Sequence, residues 1–306
     1  MAPQHPGDDG LDATGILCDV EIGAPMEETR CRLCLNIKPL QKSHLLPKAL
    51  YRLLRTQKAK NPDPIWLTRK AAWTSSTQLS DKLLCFDCEH LFHKNGEDWV
   101  LRHCFRGKGR FRLREMIRGV QPVGIPIPQA KFIPTLLIPG MEMERLAYFA
   151  ASVIWRAGVH KWVVDEHELK PIDIRDDQLE QLRRFLLGET GFPSDVYLWV
   201  SISNSKESPL TLTVFPPFGG FRNATGPGVA AGDSPHYVFC FLIPGIMFEL
   251  FMGRFVPPIV PPHCSVRSSD RLLHLTGDIE GMVFEYATGF MKTTKLSESA
   301  RHHSKS

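Results

Sequence analysis

Cys31-Arg32-Leu33-Cys34, then Ser43-His44-Leu45-Leu46-Pro47, then Leu83-Leu84-Cys85-Phe86-Asp87-Cys88-Glu89, with His90, His93 and Glu97 just beyond, form the stretch that organises this chain. Each Cys-x-x-Cys pair lies on a tight turn that aims two sulfurs at one point. Two such pairs therefore make a tetrahedral site for one ion, and the donor set is that of structural zinc. The 50 residues from 35 to 84 are more than a simple zinc ribbon needs, so the ion is expected to pin the ends of an inserted unit. That unit carries the chemistry-bearing residues.

If Glu89 opens a helix, His93 and Glu97 follow at one-turn spacing and the three share a face, a Glu/His set able to chelate an oxygen-seeking ion such as Mg or Mn. Histidine is the side chain whose ordinary pKa suits a general base near neutral pH, which singles out His44. The plainer reading keeps Glu89 and Glu97 as solvated helix residues, has His93 pack near the zinc, and leaves Ser43 to cap a turn or the helix after Pro47.

The order of these motifs resembles the zinc-stapled HNH (His-Me finger) endonucleases. That family carries a Cys-x-x-Cys knuckle, a strand ending in Asp-His-Ile-x-Pro, and a Leu-Leu-Cys-x-x-Cys segment opening a helix. The likeness covers residues 29 to 100. It implies a zinc-bound ββα-metal, treble-clef fold, with His44 as the base that activates water and Glu89 and His93 as helix-side ligands of a catalytic Mg or Mn. Ser43 stands where the family has Asp, and Glu89 where it has His or Asn. Two functions remain open: a metal-dependent endonuclease cutting DNA or RNA, and a non-catalytic zinc module that holds nucleic acid on a degenerate HNH site.

Charge is divided unevenly. Between residues 30 and 118, 20 Lys and Arg face 7 Asp and Glu, a balance of +13, while the remainder carries −9 and the whole chain +4. Arg106, Lys108, Arg110, Arg112 and Arg114 concentrate this excess, and their alternation with Phe111 and Leu113 predicts an extended basic ribbon suited to a phosphate backbone through counterion release. A solvated face offset by the acidic second half is the alternative.

The 306 residues predict an α+β protein of two parts. A flexible acidic arm (1–28) precedes the zinc-stapled domain (29–118). A Pro-rich linker (119–140) leads to a separate α+β domain with an antiparallel sheet (141–291) and a frayed tail (292–306). In the second part, Glu142 to Gly158 and Asp176 to Leu187 have helical periodicity. Segments 196–202, 210–215, 237–242 and 246–251 read as strands, the last two joined by a hairpin through Pro244-Gly245, with a long loop over 216–236. Trp155 and Arg156 end the first of these helices, in the core or against the first domain. Eight cysteines, four of them at the ion site, do not make a disulfide scaffold, and no signal sequence or membrane span is evident. A cytoplasmic location is expected; oligomeric state and pathway are not legible.

Overall fold

The computed structural model describes residues 28–55, 65–67, 71–104, 106–107, 110–123, 131–169, 171–203, 215–222, 236–253, 256, 258–267, 271–276, 279 and 295–296. The expected arm, Lys108, and most of the expected strand at 210–215 and of the tail lie outside these residues.

Strands β1 (Glu28–Arg30) and β2 (Ile37–His44) flank the first knuckle, and Pro47 starts helix α1 (Lys48–Arg55). A small hairpin follows, β3 (Ile65–Leu67) and β4 (Ala71–Thr74), then strand β5 (Ser80–Cys85), antiparallel to β2. The next helical run, begun by the second knuckle, is α2 (Phe86–Phe92), a π turn (His93–Glu97) and α3 (Asp98–His103). Two-residue strands β6 (Arg106–Gly107) and β7 (Arg110–Phe111) pair, but the expected basic ribbon does not continue. Leu113 and Ile117 are buried one turn apart, which draws Arg112–Met116 into helix α4.

The proline-rich stretch also departs from expectation. Lys131–Pro134 is strand β8, the edge of the main sheet, where prolines are tolerated because one side of the strand needs no partner. After a 3-10 turn comes α5 (Met143–Val159), then the hairpin β9 (Trp162–Val164) and β10 (His167–Leu169), and α6 (Asp176–Leu186). The sheet is completed by β11 (Val196–Ser203), β12 (Phe215–Arg222), β13 (His236–Ile243), β14 (Ile246–Met252) and, after helix α7 (Val260–His263), β15 (Leu272–Thr276). Its order is β12-β13-β14-β11-β15-β8, antiparallel except where β15 lies parallel to β11. The β13–β14 hairpin turns at Gly245, whose φ of +78° suits a residue without a Cβ. Part of the loop expected at 216–236 is β12. In the expected tail, β16 (Lys295–Leu296) pairs with β4.

Helix α5 joins the halves. It is apolar around its whole circumference, a pattern that requires burial on every side. Phe149 packs edge-on against Phe241 and Phe248 of the sheet, while Phe92 of α2 meets Tyr148 and Trp155 in the same edge-on manner. One hydrophobic core runs from Cys31 and Leu33 through α5 to Phe248 and Leu273. The boundary expected at 119–140 therefore does not divide the core. Among the described residues no helix is long and apolar enough to cross a membrane.

Candidate metal centre and the polar cluster beneath it

Cys31 follows β1 directly, and Leu35, at φ 62°, closes the first knuckle by donating its N–H to the Cys31 carbonyl at 2.9 Å. Cys85 ends β5 and Cys88 sits in the first turn of α2. Folding thus brings two turns 51 residues apart in sequence face to face. The four sulfurs lie within 4.8 Å of one another, with Cys34 Sγ and Cys85 Sγ 3.9 Å apart. Zn–S bonds of about 2.3 Å in a tetrahedron place sulfurs roughly 3.8 Å apart, so the cluster has the dimensions of a zinc site. The Cys85 amide donates to Cys31 Sγ at 3.3 Å, a contact that favours thiolate.

The Cys31 pKa falls to about 4, chiefly through a hydrogen bond with Cys88, while that of Cys88 is pushed up by the same pairing and by burial. Opposite shifts are those of crowded thiols competing for one negative charge. A dication among them removes the competition. No described cysteine forms a disulfide.

Behind the sulfurs lies a second polar cluster. Ser43 is fully buried on β2; its hydroxyl oxygen accepts from the Leu84 amide at 3.1 Å and its side chain hydrogen-bonds Glu89. It is thus an internal pin for the helix and not a turn cap. Burial raises the Glu89 pKa, opposed first by the nearby charge of Arg156 and then by Ser43. Glu97 accepts from Arg156 Nη2 at 2.8 Å, and that arginine, 1% exposed, lies 4.6 Å from the centre of the Phe92 ring.

The expected face of Glu89, His93 and Glu97 does not form. Glu89 and Glu97 turn inward whereas His93 is exposed, and among the described residues only the four cysteines gather three or more ligating atoms in one place. Within this run the π turn advances each residue by less than the roughly 100° of an α-helix, which carries Glu97 back toward the azimuth of Glu89. Gly96 allows the wide turn to lie against α5, because a Cβ there would sit 2.9 Å from the Phe149 backbone nitrogen.

His44 ends β2, half-buried, opposite Ser80 and 6.4 Å from the Tyr51 ring. Burial lowers its pKa, and the charges of Lys42, Lys48 and Arg156 lower it further, against a hydrogen bond with Gln78. The imidazole is neutral at neutral pH. Lys42 shares its strand face and stands directly opposite Lys82 across the ladder; both are exposed, as is Lys48. Just before Lys42 the register shifts, a bulge that re-aims this face. Of the basic ribbon, Arg112 is exposed and Arg114 half-buried on α4, while the side chains of Arg106 and Arg110 lie outside the described residues.

Sequence reasoning missed the Lys42–Lys82 juxtaposition, which depends on strand register, and the part played by Arg156. One signal for the latter was present: between Leu146 and Gly158, Arg156 is the lone charge in an apolar helix. No protein-family model, curated protein or solved structure matches the chain.

Proposed function

We propose that this chain is a zinc-stapled, HNH-like nucleic-acid-binding protein that holds the phosphate backbone of DNA or RNA on the β2–β5 face around His44. The Lys42–Lys82 pair carries this reading. Like charges directly opposite in an antiparallel ladder repel, and a fold that keeps two exposed ammonium groups there, with Lys48 close enough to act on the same imidazole, has a surface that an oxyanion relieves. The wider excess of +13 between residues 30 and 118 supports a polyanion over a small anionic ligand. The order of knuckle, antiparallel β2–β5 pair and helix supports the HNH-like, treble-clef description, with zinc as its structural ion.

Hydrolysis is the second reading, favoured by one observation: a neutral imidazole is competent as a base at the pH where the chain would act. Glu89 and His93 as ligands of a catalytic Mg or Mn fit less well, since one is buried beside a guanidinium and the other faces solvent.

Fluorescence anisotropy with single- and double-stranded DNA and RNA over a salt series tests binding. The Lys42→Gln/Lys82→Gln variant should weaken every complex and reduce the log–log salt slope by about 2. An unchanged slope would sink the proposed face. Plasmid and RNA incubation with wild type and His44→Ala, with and without added Mg, tests the second reading: cleavage lost in the variant establishes the base.

A further inference from the structure

We infer that Arg156 is the resident cation of this site: its buried guanidinium, ion-paired to Glu97 and beside Glu89, does what a second metal ion would do there, so that these two acids hold no dication and, among the described residues, the four cysteines alone are left to hold one. The inference deepens the proposed function and rests on it in one respect, that the face around His44 engages phosphate without help from Mg or Mn.

Three observations carry it. First, Glu89 and Glu97 interact with one another inside the fold, and the charge they meet comes from α5. Arg156 Nη2 is 2.8 Å from Glu97 Oε1, and the arginine is the foremost opposing charge felt by Glu89. Second, the remaining polar atoms there have the wrong character for a dication. Arg156 Nε and Nη1 are buried without hydrogen-bond partners, two donors against a single orphaned acceptor, Glu89 Oε1. Mg and Mn need several oxygen acceptors around them, and a lining rich in donors repels them. Third, the side chain that would complete an acidic chelate, His93, is turned to solvent. Burial of Arg156 keeps it from touching a ligand on the strand face.

The experiment counts ions. Zinc-loaded protein is titrated with Mn²⁺ and free Mn²⁺ is read from its paramagnetic resonance signal, for wild type, Glu97→Gln, Arg156→Lys, Arg156→Met and Arg156→Met/Glu97→Gln. Wild type and Arg156→Lys should leave the signal at full amplitude. Arg156→Met should remove one equivalent of Mn²⁺ by exposing the Glu89/Glu97 pair, and the double variant should restore the signal. Wild type binding one equivalent that Glu97→Gln abolishes would overturn the inference, as would a folded Arg156→Met protein that ignores Mn²⁺. Should Arg156→Met fail to fold, the wild-type and Glu97→Gln titrations still decide. Anisotropy in metal-free buffer is a separate arm: no nucleic-acid binding under any condition defeats the proposed function and leaves the ion count standing.

Discussion

At the scale of single residues, burial decides which charges the fold tolerates. His274 on β15 is stacked on Phe132, with ring centroids 5.0 Å apart, and hydrogen-bonds Ser201 at 3.0 Å; burial drops its pKa to about 4. The unfolded chain binds this proton near the ordinary pH of 6.5 while the folded one refuses it until about 4. Stability is therefore intact above the ordinary value and falls as pH drops through this window, by at most about 3 kcal/mol. Urea midpoints at pH 7 and pH 5 should converge in His274→Phe relative to wild type. Equal pH sensitivity in both proteins would mean that another group is responsible. The Arg156–Glu97 pair is the opposite case, a buried charge kept because it is matched. Glu97→Gln leaves a guanidinium without its counter-charge, and denaturant unfolding should show a loss of about 3–5 kcal/mol.

At the scale of elements, the junction of α2, the π turn and α3 is set by one contact. A methyl group at position 96 meets backbone, which does not yield, so Gly96→Ala should cost about 1–3 kcal/mol in urea denaturation despite the better helix propensity of alanine. Gly191→Ala, with open space around the added carbon, is the control and should be near neutral. The second knuckle is a cap of another kind: Cys85 and Cys88 begin α2, so an ion held by the four sulfurs would fix that end of the helix. Cys88→Ser should release the metal, measured by a chromogenic chelator, and lower the melting temperature, since metal binding to such sites is folding free energy. Retention of a full equivalent of zinc would place the ion elsewhere.

Across the whole molecule, the four-cysteine unit and the sheet share α5 and a continuous core, and Arg183 of α6 donates to the Leu33 carbonyl at 2.8 Å within the first knuckle. One cooperative unfolding step is the expected consequence. Amide exchange in α2 and in the β13–β14 hairpin should lose protection at the same denaturant concentration, and chelation of zinc should expose both; separate transitions would show two units. The helices at 48–55, 143–159 and 176–186 and the β13–β14 hairpin were legible because their apolar spacing and turn residues are local. Strand β15 and the pairing of β16 with β4 were not, because short strands owe their existence to a partner distant in sequence. The strand inside the proline-rich stretch was missed for a related reason. Proline density marks where a helix cannot form, but an edge strand meets the same condition, and Lys131–Pro134 became one.

The sequence by itself determined the four-cysteine cluster and the antiparallel α+β character, since each follows from spacing along the chain. Only the tertiary structure decided where the acids of the helix point and what they meet. A π turn shifts the azimuth of Glu97, and a guanidinium from a helix some 60 residues further along pairs with it and acts on Glu89. Periodicity describes one element in isolation, whereas the charge facing a buried carboxylate is contributed by whichever neighbour packs against it.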